Sequence, residues 1–195
     1  MATFEATNTG LFARWDNDSY LTAHDAADAN VDIGIVLNNY GFRVGQADSY
    51  NVYRAGLVFD TSSIPSDATI NGATLSLMGE NNFADADFDI TIVSGTDLAD
   101  TFVVADYGDL LNEITSLGSL TTVGFLLEGW NVLTISDLTK ITKAGITRFG
   151  LRSSRDISST PTVAYEYVVC YGSNTTNKKP RLTVTYNFTP KIFYF

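Results

Sequence analysis

Residues 52–78 read VYRAGLVFDTSSIPSDATINGATLSLM, and the spacing of apolar side chains in this stretch decides the fold. Tyr53, Ala55, Leu57 and Phe59 recur at every second position. Beyond the break Ala73, Leu75 and Leu77 do the same, with Ile70, Thr74, Ser76 and Met78 on the opposite face. Successive side chains of an extended chain point to opposite faces, so a period of two builds a pleated strand with one face in a core. Between the runs stand Asp60, Ser62, Ser63, Pro65, Ser66 and Asp67. Short polar side chains bond nearby backbone amides and proline fixes φ, so the chain bends sharply here. Two apolar-faced strands around such a turn predict a β-sandwich.

Composition extends that reading to the whole chain. At 195 residues the chain fills one core and one domain. An apolar share of 45% and an aromatic share of 12% exclude disorder, and ten tyrosines with many threonines favour strands over helices. Further strands are expected at 2–14, with Phe4 and Phe12 flanking the turn signal Asn8, Thr9, Gly10, and at 33–37, 88–92, 130–135, 146–151, 165–171 and 181–188. Leu110, Leu111, Ile114 and Leu117 stand at helical spacing before Gly118, and Ser136 is placed to cap a second short helix running through Ala144 to Gly145. Trp130, heading an apolar strand, is expected in the core.

Net charge is −10, unevenly spread: residues 1–110 hold 17 Asp or Glu against 3 Arg, and residues 111–195 hold 5 against 9 basic residues. Such an acidic surface repels phosphate backbones, so no nucleic-acid partner is expected. The lone Cys170 lies in the apolar run 167–171 as a small buried side chain, and no intramolecular disulfide can form. The opening MATFEATNTG has neither a basic n-region nor an apolar h-region, and no stretch of about 18 apolar residues occurs. Synthesis without a secretory leader and no membrane insertion are the expectations.

Three strings, YRAGLVFDTSSIPSDATINGATLSL from Tyr53, GITRFGLRSSRDIS from Gly145 and KKPRLTVTY from Lys178, resemble the DNRLRE-type domain. That domain is a jelly-roll sandwich similar to carbohydrate-binding modules and occurs in bacterial surface proteins and bacteriophage virion proteins. The resemblance implies one all-β antiparallel jelly-roll over residues 1–186 with one or two short helices, followed by a tail at 187–195. It implies display, binding or assembly and supplies no catalytic set. Together with the missing leader it points to a structural component of a phage or prokaryotic-virus particle, either capsid decoration, head fibre or tail. The alternative is a carbohydrate-binding or adhesive module of a cell surface.

Candidate sites follow from residue types. His24 is the single histidine and lies in an acidic loop, read as solvated, with no nucleophile elbow elsewhere. In that loop Asp16, Asp18, Asp25, Asp28 and Asp32, with Asn17 and Asn30, offer hard oxygens that suit a structural calcium ion. Asp85, Asp87 and Asp89 alternate, which would place three carboxylates on one strand face. Trp15, Tyr20, Tyr40 and Tyr50 lie in or near loops, where aromatic faces stack on the pyranose rings of a host-surface glycan. Ile192, Phe193, Tyr194 and Phe195 form an apolar tail suited to self-association or docking on other virion proteins. Arg148, Arg152 and Arg155 are expected to bridge to the acidic first half.

Overall fold

The structure, a computed structural model, describes residues 1–30, 41–48, 50–162 and 164–188. Its strands are β1 (Ala2–Arg14), β2 (Phe42–Ala47), β3 (Asn51–Asp60), β4 (Thr69–Asn82), β5 (Asp89–Ser94), β6 (Gly118–Thr121), β7 (Trp130–Ile135), β8 (Ile146–Ser153), β9 (Glu166–Cys170) and β10 (Arg181–Asn187). Three short helices accompany them, α1 (Tyr20–His24), α2 (Asp106–Asp109) and α3 (Ser154–Ile157), with one 3₁₀ turn at Leu138–Lys140. Every pairing between named strands is antiparallel. The molecule is the all-β sandwich that the alternation predicts.

Two long strands each serve both layers. The first residues of β1, Ala2–Glu5, pair with β10, and the rest, from Ala6 to Arg14, pairs with β3 across an irregularity between Ala6 and Asn8. Likewise β4 pairs with β10 and β7 up to Met78, then shifts register after Gly79 and pairs with β9. One layer is therefore β1–β10–β4–β7, and the other is β1–β3–β8–β5–β6 with β2 and β9 continuing from β3. The asparagine, threonine and glycine at 8–10 form no turn. They sit inside a continuous strand because Thr9 and Gly10 are paired with Leu57 and Gly56.

The core lies between the layers. Leu75, Leu77, Leu133, Ile135, Leu182 and Val184 from one layer meet Leu57, Phe59, Ile90, Ile92, Phe149 and Leu151 from the other, all essentially inaccessible. Ile64 plugs the end of this core from the β3–β4 turn. That turn is held by the Asp60 carboxylate accepting from Ser62 N–H at 3.0 Å and by Ala68 N–H donating to the Pro65 carbonyl at 3.0 Å. Burying these twelve side chains contributes on the order of 20–30 kcal/mol before entropy is counted.

The second face of β3 is not wet. Val52 and Val58 join Phe12, Tyr20, Ala23, Leu98, Phe102, Tyr107 and Leu110 in a separate apolar cluster, because segments 15–30 and 95–113 fold over the outer sheet surface. Gly56 lets this cover approach closely: a Cβ there would sit 2.8 Å from the Phe102 ring.

Several expectations are corrected. No helix spans 110–117, because the carbonyls of Leu110, Leu111 and Glu113 are taken by Arg152; the helical turn lies earlier, at Asp106–Asp109. Ser136 caps nothing and donates instead to the Leu117 carbonyl, while Asp137 caps the short 3₁₀ turn. Trp130 is only half-buried, with the Arg181 guanidinium 4.3 Å above its ring. Strand β5 begins at Asp89, so Asp85 and Asp87 precede it and the three carboxylates share no strand face. The expected strand at 33–37 lies outside the described residues. Cys170 is buried, and that burial pushes its thiol pKa up. No helix among the described residues is long and apolar enough to cross a membrane.

Candidate ligand-binding cleft

Where β4 leaves the first layer to join β9, the face of β1 and β3 that carries Leu11, Ala13 and Tyr53 continues onto the face of β2 and β9 that carries Arg43, Gly45, Tyr167 and Val169, opposite to the one that sends Phe42, Val44, Val168 and Cys170 into the core. This open face is a cleft of about 500 Å³. Its floor is Leu11, Ala13, Tyr53, Tyr167 and Val169, and Trp15 and Phe83 flank it. The polar lining is Arg43, Asn51, Glu80 and Asn81.

Strand register sets the floor. Tyr53 lies opposite Ala13 on one side and Gly45 on the other, and Gly45 in turn lies opposite Tyr167. Gly45 has φ +134, and a Cβ there would clash with the Glu166 carbonyl and the Tyr167 backbone. The missing side chain lets Tyr53 and Tyr167 meet edge to face at 5.3 Å. Phe83 packs on Tyr167 at 4.9 Å with a 31° tilt, and Tyr165 stands against it at 6.0 Å. The result is an aromatic row along one wall. Trp15, Phe83 and Tyr165 remain 41%, 43% and 47% exposed.

The rim is braced. Asn30 accepts from Trp15 N–H at 3.2 Å and donates to the Trp15 carbonyl at 3.0 Å, which fixes the backbone carrying the indole. Glu80 accepts from Gly41 N–H at 3.1 Å. The Arg43 guanidinium lies 5.4 Å from the Tyr53 ring centre and 5.3 Å from that of Tyr167, within cation–π range. Burial raises the Tyr53 pKa, with Arg43 pulling the other way.

A second polar constellation is buried beneath the outer cover. Asp156 accepts from Arg54 Nε at 2.9 Å and Nη2 at 2.8 Å, a two-pronged pair, and from Arg152 Nε at 2.6 Å. Arg54 also donates to the carbonyls of Tyr107 (2.8 Å) and His24 (2.9 Å). Burial alone would raise the Asp156 carboxyl pKa, yet the charges and hydrogen bonds of Arg54 and Arg152 hold it well below the usual carboxylate range. Burial likewise opposes the Arg54 charge, and Asp156 more than offsets it. All three side chains are fully inaccessible, so this hub ties α1, α2 and α3 to the sheet and meets no ligand.

His24 is buried in that hub rather than solvated, which corrects the expectation for this loop: α1, capped by Ser19, turns the ring inward. Ser159 Oγ lies 3.4 Å from Nε2 and Asp25 Oδ1 lies 2.5 Å from Nδ1, the three residue types of acyl transfer. But Nε2 is 2.8 Å from the Asp156 carbonyl, which can only accept. Nε2 therefore donates there and is not free to take a proton from Ser159, as a general base must.

The predicted sites divide. Trp15 lines the cleft. Tyr20 does not, since it is buried at the start of α1 with its hydroxyl accepting from Gln46 at 3.1 Å and its pKa raised by burial. Tyr50 packs half-buried against the outer apolar cluster, and Tyr40 lies outside the described residues. Asp16 accepts from the N–H groups of Asp18 and Ser19, both at 2.8 Å, and Asp25 meets His24. Asp18 and Asp28 are exposed. Among the described residues no three His, Cys, Asp or Glu side chains are grouped to hold a metal ion. Asp32 lies outside the described residues, as do Ile192, Phe193, Tyr194 and Phe195. Of the arginines, Arg148 does reach the acidic half, at Asp100, whereas Arg152 pairs with Asp156 and Arg155 with Glu166.

Tyr53, Phe83, Tyr167 and Arg43 were not marked by the sequence reading. Alternation assigns Tyr53 to the core face, and only the departure of β4 shows that this face is open at one end. Compared with known proteins, the chain matches no family model and no curated protein.

Proposed function

We propose that the protein is a non-catalytic recognition module that holds a glycan in the cleft between β1 and β9. The observation that carries this reading is the aromatic row of Tyr53, Tyr167 and Phe83 on an open sheet face, with Trp15 and amide and charged groups lining the same cleft. Pyranose rings present apolar C–H faces to aromatic rings and hydroxyls to amides and carboxylates, and a concave, mostly apolar site with a few placed polar groups is the general form of a small-ligand site. The commitment of His24 Nε2 to a carbonyl supports a binding role over hydrolysis. The virion setting is carried by the resemblance. On that setting the module is a decoration, fibre or tail component that grips host-surface glycan, and on the alternative it is displayed by a cell.

A glycan array probed with the intact protein tests the reading. Trp15→Ala and Phe83→Ala, both at exposed rim positions, are expected to weaken the strongest hit about tenfold each without changing the melting temperature. An array with no signal ends the proposal.

A further inference from the structure

Resting on the glycan reading, we propose that the cleft selects an acidic sugar, one whose ring carboxylate is gripped by Arg43. The argument begins with charge. In a protein of net charge −10, cations are scarce, and seven of the eleven among the described residues are held in ion pairs: Arg54 and Arg152 by Asp156, Arg148 by Asp100, Arg155 by Glu166, Lys178 by Glu128, and Lys179 and Arg181 near Glu5. Arg43 is exposed on β2, and among the described residues it forms no ion pair. Among the described residues it is also the only basic one lining the cleft.

Its geometry suits a carboxylate. The guanidinium is held over two tyrosine rings at 5.3–5.4 Å, so less side-chain freedom is lost when a ligand docks. A planar guanidinium presents paired N–H donors that match the two oxygens of a carboxylate. The aromatic wall supplies the apolar face for the ring. Glu80, Asn51 and Asn81 stand where hydroxyls need partners. Glu80 accepts from Gly41 N–H, and its remaining lone pairs are available to hydroxyl donors. The protein's overall negative field opposes dense polyanions, so the favoured ligand bears one carboxylate per stacked ring rather than clustered sulfates.

The test uses an array that carries uronic-acid, sialic-acid and neutral glycans, followed by calorimetry on the strongest acidic hit and on its carboxyl methyl ester. Esterification removes the charge and leaves the ring in place. Acidic glycans are expected to dominate, and both esterification and Arg43→Gln are expected to weaken binding by about ten- to a hundredfold, with Arg43→Lys keeping part of the affinity. An unchanged melting temperature for Arg43→Gln shows that the fold is intact. If neutral and acidic glycans bind alike and Arg43→Gln changes nothing, the acidic-sugar inference falls and the glycan reading stands. If neither class binds, both fall.

Discussion

Arg54, Arg152 and Asp156 sit within the strings that carry the family resemblance, yet nothing in their spacing reveals that they meet; Arg54 and Asp156 are 102 positions apart. Their closeness depends on β3 pairing with β8. Removing the carboxylate leaves two buried guanidinium groups without their counter-charge. Asp156→Ala is therefore expected to destabilise the fold by about 3–5 kcal/mol, read as a lower urea midpoint. The pH dependence has a definite sign. Because Asp156 is held below the ordinary carboxylate range when folded, its contribution is complete above the unfolded value near ~3.9 and is lost as pH falls from there toward the folded value. Wild-type stability should fall on acidification below about pH 4, and Asp156→Asn should show a shallower fall across the same window. An equal slope for both proteins would remove Asp156 from the acid response. His24 sits in a polar stretch that reads as solvated, and only the cover over the sheet takes it out of water.

At the level of strands and turns, local pattern was a good guide wherever one layer faced another. The alternation at 55–59 and 73–77 places the core face correctly, and those residues are buried as the period requires, whereas Tyr53 on the same face of β3 lines the cleft. It was a poor guide to what covers the other face of β3, since Val52, Arg54 and Val58 are buried by segments distant in sequence. Helix signals near 110–117 failed because a tertiary partner, Arg152, took the carbonyls that a helix would use internally. Gly45 gives a test at this scale. Its φ of +134 and the absence of room for a Cβ join β2 to β9 and bring the two tyrosines together. Gly45→Ala is expected to cost at least about 1–3 kcal/mol in backbone strain and to weaken any cleft ligand at the same time. Full stability and full affinity in that variant would show that the close approach is dispensable.

Across the whole molecule, the double service of β1 and β4 closes six strands into a ring, β1–β10–β4–β9–β2–β3 and back to β1. The ring is complete at Asn187, the end of β10. Deleting residues 189–195 is accordingly expected to leave the melting temperature unchanged. If Ile192–Phe195 mediate self-association as their apolar character suggests, the truncated protein sediments as a monomer; wild-type assembly by it would dismiss the tail as the contact. The same ring fixes a polarity. Ala2 lies beside Val184 and Thr69 beside Asn187, so the start of β1 and the finish of β10 share one pole, while the cleft occupies the far end of β1, roughly 30 Å away along the strand. A tether spliced on before Ala2 or after Asn187 would thus hold the protein by its back, and the cleft would look outward from whatever surface carries it.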